Sequence, residues 1–416
     1  AYILFRSIHW IQVLHAVFQN VWVCRGIGLV YLFVVFSILI AFMAPDSGFR
    51  RFMKLLSNYW LGVLVYAIMT LGIADGVRLI IKYPLKNINF PGREILFSNV
   101  GTAVIGTVCA VIISVISIYG VINAGNIQTT KYEISVGKKA GKLKSLNVVL
   151  IADLHLGYNI GCRQMEQMAE KINAQNPDLV ADTHFGYNAG VIHAHELVHK
   201  INKQKPDLVC IAGDIFDNEY EALDNPDRLA EILRGIHSKY GVYACYGNHD
   251  IQEKILAGFT FGGRAKKQSS VEMDEFLEKA GFTLLRDEYV LIDNAFYLYG
   301  RPDYERPGRG IEERKTAQEI TDNMDLSLPV LVIDHEPREL QELADAGVDA
   351  DLCGHTHDGQ LFPGNITIKF LWENACGYLK KDNMHNIVTS GVGLFGPNMR
   401  VGTKSEICDI VMHFNS

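Results

Sequence analysis

The sequence predicts two chemically different parts: an all-α transmembrane region of about three spans, followed by an α/β domain built from βαβ units. Three observations carry this. Charge is divided unevenly, with nine basic and three acidic side chains in residues 1–125 against 30 basic and 43 acidic in residues 126–416. Long uncharged apolar runs fill the first part. In the second, short β-branched runs alternate with amphipathic segments, the signature of strands and helices in turn. With 49% hydrophobic and 20% charged residues the chain is not a disordered one, and eight cysteines in 416 residues do not make a disulfide-stapled miniprotein.

Gly26–Pro45 and Leu55–Ala74 are uncharged stretches of 20 residues, and a third uncharged run extends from Ile95 to Thr130. About 20 apolar residues at 1.5 Å rise cover a hydrocarbon core of ~30 Å, which places spans near 27–44, 56–76 and 97–122. Residues 7–24 are apolar but interrupted by His9, Gln12, His15, Gln19 and Asn20, so they read as an interfacial helix or an extra span. Asp75 and Arg78, three apart at the end of the second span, read as a pair snorkelling to the interface. A transporter needs more polar groups at mid-span than these. The first residue is Ala1, which leaves room for an upstream piece. With three spans, Arg50, Arg51, Lys54, Lys131, Lys138, Lys139, Lys142 and Lys144 share one side. Arg6, Arg25, Lys82, Lys86 and Arg93 share the other. Eight against five favours a multi-pass protein of the cell membrane with a cytoplasmic C-terminal domain.

Residues 126–145 read as a linker and first strand, and 146–416 as the enzyme domain. Strands are expected at Asn147–Ala152, Leu208–Ala212, Val242–Tyr246, Tyr289–Leu291, Phe296–Tyr299, Val330–Ile333 and Ile407–Phe414. Helices are expected at Met165–Ile172 and Met273–Ala280. Polar clusters follow the strands in order: Asp153-Leu154-His155, then Gly213-Asp214-Ile215-Phe216-Asp217, then Gly247-Asn248-His249-Asp250, then His335, then Gly354-His355-Thr356-His357. Singly each is a turn or a capping residue. Jointly they are nitrogen and oxygen donors placed where a rigid sheet feeds its loops.

The five clusters resemble the blocks of the calcineurin-like metallophosphoesterase superfamily (D-x-H, G-D-x-x-D, G-N-H-D/E, a strand-end His and G-H-x-H) over about residues 130–416. Gly354-His355-Thr356-His357-Asp358-Gly359-Gln360 resembles its membrane-associated bacterial branch. The resemblance implies two packed mixed β-sheets flanked by helices, an αββα sandwich. It implies two divalent metal ions, with Asp153, His155, Asp214 and His357 holding one, and Asp214, Asn248, His335 and His355 the other. His249 would be the unligated catalytic group and Asp250 would orient it. Nitrogen and oxygen donors without thiolate suit Mn, Fe or Zn. The implied reaction is in-line attack on phosphorus by a hydroxide between the metals. The substrate would be a phosphodiester, a phosphomonoester or a lipid-linked pyrophosphate of the UDP-2,3-diacylglucosamine type. The alternative is a metal-binding membrane scaffold or sensor without useful turnover.

One ligand pair has two candidates, because residues 152–180 and 181–209 are tandem copies 29 residues long. Asp182 and His184 are thus an alternative first block. Asp153 and His155 are preferred because they follow the longer aliphatic strand. The second copy has the shorter separation from Asp214. His193, His195 and His199 do not share one helix face and read as surface residues. The basic stretches 256–270 (Arg264, Lys266, Lys267) and 300–316 (Arg301, Arg306, Arg309, Arg314) read as solvated loops or, alternatively, as contacts to an anionic substrate. The acidic domain argues against nucleic acid as a partner. Cysteines without C-x-x-C spacing read as free thiols, and no nucleotide loop or serine-hydrolase elbow is present.

Overall fold

The computed structural model describes residues 1–45, 47–88, 91–156, 190–218, 220–223, 225–252, 255–256, 259–260 and 269–415. Most of the tandem repeat, with Asp182, His184 and the expected helix Met165–Ile172, lies outside the described residues, as do Arg264, Lys266 and Lys267. Two compact units emerge: Ala1–Val121 with Gly396–Met399, and Ile122–Phe395 with Arg400–Ser416.

In the first unit, three helices are long and apolar enough to cross a membrane: Val21–Met43, Gly48–Lys82 and Asn99–Gly125. Their polar starts fit the sequence. Asn20 accepts from the Trp22 amide at 2.8 Å and Ser47 from the Arg50 amide at 3.2 Å, each satisfying a donor that a helix start leaves open. Tyr2–Leu14 is a separate helix of 13 residues, about 20 Å long at 1.5 Å per residue. The expected Asp75–Arg78 pairing is replaced by another: Asp75 accepts from Tyr2 at 2.6 Å and pairs with Arg6 at 2.9 Å, while Arg78 lies over the Phe97 ring.

The second unit is a sandwich of two six-stranded sheets. With β1 Ile127–Val136, β2 Ser145–Ile151, β3 Leu208–Ala212, β4 Val242–Cys245 and β7 Phe282–Leu284, and with β14 Ser405–Phe414, the first sheet runs β1-β14-β2-β3-β4-β7. The second runs β12-β13-β11-β10-β9-β8, from β8 Glu288–Ile292, β9 Phe296–Arg301, β10 Val330–Asp334, β11 Ala350–Cys353, β12 Gly377–Lys381 and β13 Met384–Val388. Two short strands, β5 Ile255–Leu256 and β6 Phe259–Thr260, form a separate hairpin. Strands β2, β3 and β4 are mutually parallel, as are β9, β10, β11 and β13.

Side-chain alternation explains why the central strands read as unbroken apolar runs. Val148, Leu150, Leu208 and Cys210 meet Leu331, Ile333 and Leu352 between the sheets. Their sequence neighbours Val149, Ile151, Val209 and Ile211 pack outward under the helices carrying Leu197, Leu229, Leu233 and Phe276. On the other outer face Val330 and Val332 meet Ile320, Leu340 and Leu343. Period-two alternation with both faces covered makes every position apolar and holds the strand ends fixed.

Candidate metal centre

The polar clusters all sit just past the C-terminal ends of parallel strands, Asp153 after β2, Asp214 after β3, Asn248 after β4, His335 after β10 and His355 after β11. A parallel sheet gathers its strand ends along one rim, so residues far apart in sequence converge. The two sheets bring their rims together there. The Asp153 carboxylate accepts from the His355 amide at 3.0 and 3.1 Å, joining one rim to the other.

Among the described residues three groups of donors converge, the first two sharing His155: Asp153, His155 and His357; His155, Asp217 and His249; and Asp214, His335 and His355. In the first, His155 Nε2 is 3.0 Å from His357 Nε2, and His357 Nε2 is 3.9 Å from Asp153 Oδ1. In the third, His335 Nε2 is 3.3 Å from Asp214 Oδ2 and 2.9 Å from Asn248 Oδ1. His355 Nδ1 lies 3.0 Å from Asn248 Oδ1 and 3.1 Å from His335 Nε2. The same Asp214 Oδ2 is 3.9 Å from His155 Nε2, so one carboxylate oxygen faces both groups. Asp153 and His155 stand at this rim, and the alternative pair Asp182 and His184 lies outside the described residues.

This donor set fits divalent metal. Ring nitrogens face each other at hydrogen-bond distance in two places, so a proton or a cation stands between each pair of lone pairs. His335 donates through Nδ1 to the Ala212 carbonyl at 3.0 Å, which turns Nε2 toward the centre as a metal-ligating imidazole requires. His155 Nδ1 is buried without a hydrogen-bond partner. Burial pulls His249 down to about 4 and His355 down to about 3, and it holds His357 well below the usual range, so these rings are neutral. Burial works against charge on His335 as well, but Asp214 beside it drives its pKa well above normal. That proton stands where a cation would. Burial raises Asp153 to about 6.

The backbone is bent to make this convergence. Asp153, His155, Asp214, His355 and His357 all have φ between 46° and 72°, the left-handed region that L-residues avoid at a cost of roughly 1–3 kcal/mol each. Gly391 is held for another reason: at φ 77° a Cβ there would lie 2.6 Å from Asp153 Oδ2.

Asn218 and Arg400 escaped the sequence reading, and Asp250 makes other bonds than the resemblance implies. Asp250 does not reach the His249 ring. Its carboxylate accepts from the Phe216 amide at 2.8 Å and the Gly247 amide at 2.7 Å, tying the loop after β3 to the loop after β4. Burial and then the charge of Asp214 push it up to about 8. The His249 ring instead meets the buried Asn218 through Nδ1. Arg400 is fully buried. Its Nη2 donates to the carbonyls of Ser390, Gly391 and Gly393 at 2.8, 3.2 and 2.8 Å and lies 3.3 Å from His357 Nδ1.

The basic stretch 300–316 is mostly tied into ion pairs rather than open to solvent. Arg301 and Arg314 bind Asp334 at 3.0 and 3.3 Å, and both also pair with Glu339. Arg309 pairs with Asp274, and Arg306 donates to the Asn248 carbonyl at 3.2 Å. His195 and His199 are exposed on the helix Gly190–Lys203.

A sandwich with this ligand rim defines a metal-dependent phosphoesterase domain. The chain belongs to the calcineurin-like phosphoesterase family, whose model matches residues 146–359. It is similar to a zebrafish (Danio rerio) protein named "Transmembrane protein with metallophosphoesterase domain", 27% identical over 322 residues, covering 74% of this chain and 62% of that protein's length. A metallophosphoesterase of Aquifex aeolicus is 32% identical over 197 residues, 47% of this chain and 68% of the relative. One of Campylobacter jejuni is 26% identical over 392 residues, 91% of this chain and 89% of the relative.

Proposed function

We propose that the chain is a membrane-anchored dinuclear-metal phosphoesterase. The observation that carries this is Asp214, whose Oδ2 faces His155 on one side and His335 on the other. Asp153, His155, Asp214 and His357 would hold one ion, and Asp214, Asn248, His335 and His355 the second, with Mn, Fe or Zn suiting these donors. Two such ions, when bound, neutralise the phosphate and lower the pKa of water.

The protein's own residues do the rest. Strand-end anchoring fixes the donors before substrate arrives, so little reorganisation accompanies reaction. With Asn218 presenting its amide oxygen to Nδ1–H, His249 keeps Nε2 as a proton acceptor, and only after taking a proton there would it donate one to the leaving oxygen. Asp250 keeps the loops bearing Asp214 and His249 in register. The substrate would be a phosphodiester, a phosphomonoester or a lipid-linked pyrophosphate, and the excess of basic residues on one side supports a cytoplasmic catalytic domain.

The test is hydrolysis of bis-p-nitrophenyl phosphate by the full chain in detergent with Mn²⁺, alongside metal counting. Two ions per chain are expected, with activity lost in His249→Ala while metal is kept. A folded, metal-loaded wild type that leaves this diester and pyrophosphate esters intact would instead favour the scaffold or sensor.

A further inference from the structure

Exposed apolar side chains of the second unit concentrate on one short segment. Phe370 is 84% and Leu371 77% exposed, with Ile366 and Phe362 also open. They project from a helical turn Gly364–Thr367 and a 3₁₀ turn Ile368–Phe370. Between Asp358 and Glu373 the sequence has no carboxylate and one cation, the exposed Lys369. Contiguous apolar exposure of this kind marks an interaction surface rather than ordinary solvent contact.

What covers it follows from the neighbouring chain. Phe362 donates its amide to the Val401 carbonyl at 2.8 Å, and Thr403 Oγ1 to the Gln360 carbonyl at 2.8 Å, so the segment rests on the loop 400–405. That same loop is held by Asn123, which donates to the carbonyls of Arg400 and Thr403 at 3.1 and 2.8 Å. Ser405 Oγ donates to the Ala124 carbonyl at 2.9 Å. Asn123 and Ala124 form the last turn of Asn99–Gly125, the third candidate span. The apolar segment is therefore tied, through the loop 400–405, to the end of that helix. At its other end, the Trp372 ring lies 5.2 Å from His355, and Leu371 and Trp372 line a cleft of about 630 Å³ with Tyr304 and Arg338.

We propose that Phe362–Trp372 is a ridge that seats in the headgroup layer of the membrane and presents lipid-borne phosphoesters to the metal centre. Apolar side chains beside a tryptophan and a lysine, without acids, match the chemistry of that layer. The substrate half of this inference rests on the phosphoesterase reading; the docking half does not.

The test places the photocrosslinker p-benzoylphenylalanine at Phe370, and in a control at Tyr289 on β8, the far edge strand, in the full chain in phosphatidylcholine–phosphatidylglycerol nanodiscs. Lipid adducts at least tenfold more abundant from position 370 are expected. Adducts to another copy of the chain, or equal yields from both positions, would overturn the docking. Activity on a diacylglycerol p-nitrophenyl phosphodiester in the same discs, divided by activity on bis-p-nitrophenyl phosphate, should fall at least tenfold in Phe370→Asp. An unchanged ratio overturns the substrate half. A wild type inert on both esters fails the phosphoesterase reading and the substrate half together, while the crosslink still decides the docking.

Discussion

The two rims that meet at the metal centre are held in different ways. The rim of the first sheet carries Asp153, His155, Asp214, Asn248 and His249, and its carboxylates are fixed by backbone amides: Asp214 by His249, Asp153 by His355, Asp250 by Phe216 and Gly247. The rim of the second sheet carries His335, His355 and His357 and is braced by charge. Arg301 and Arg314 clamp Asp334 next to His335, and Arg400 caps the loop carbonyls beside His357. A carboxylate accepts from N–H groups that a turn already offers. An imidazole presenting its lone pair to a metal has no such use for them, so its loop needs cationic donors aimed at carbonyls.

Four changes would break or sharpen that contrast. The largest effect is expected of Asp214→Asn, which removes the charge shared by both rims: activity should drop on the order of a thousandfold or more, with fewer than two ions per chain by metal counting. Two retained ions would refute the shared role. Next, Arg301→Met leaves the fully buried Asp334 short of a partner and should cost ~3–5 kcal/mol, read from the urea midpoint of the full chain. A smaller loss would mean that Arg314 alone suffices. Arg400→Lys cannot span the same carbonyls and should weaken Mn²⁺ binding roughly 10–100-fold in a chelator competition. Unchanged affinity would make the cap a matter of stability alone. The smaller stability shift belongs to Lys138→Met. It removes a 2.7 Å pair with the buried Asp349, before β11 and away from the centre, but leaves that carboxylate the Val330 amide, so about 1.5–3 kcal/mol is expected by the same urea measurement.

Much of this architecture was legible in the residues. Val148–Ile151, Leu208–Ala212 and Val330–Ile333 announce central strands because both faces are buried, and each is followed by chemistry-bearing residues. The three candidate spans were readable from charge-free length alone. What was hidden depends on tertiary approach. Arg400 stands 43 residues after His357, in a stretch with no strand signal, and nothing local says that it turns inward. Asp250 follows His249 directly, which suggested a pairing, yet adjacent residues point apart and Asn218 from another loop takes the ring. The Arg-rich stretch 300–316 looked solvated because composition does not reveal that Asp334 and Glu339 wait behind it. Left-handed backbone at five donors leaves no trace in residues that are not glycine.

Drawing the donors from five loops on two sheets also sets an order of events. In a small zinc module the metal gathers a loose chain, and binding is itself the folding step. Here, a half-built sandwich would offer one rim lacking His335, His355 and His357, or another with those histidines alone, and neither would enclose a pair of ions. Metal uptake thus certifies that both sheets have closed, and the freshly made chain would acquire its chemistry last.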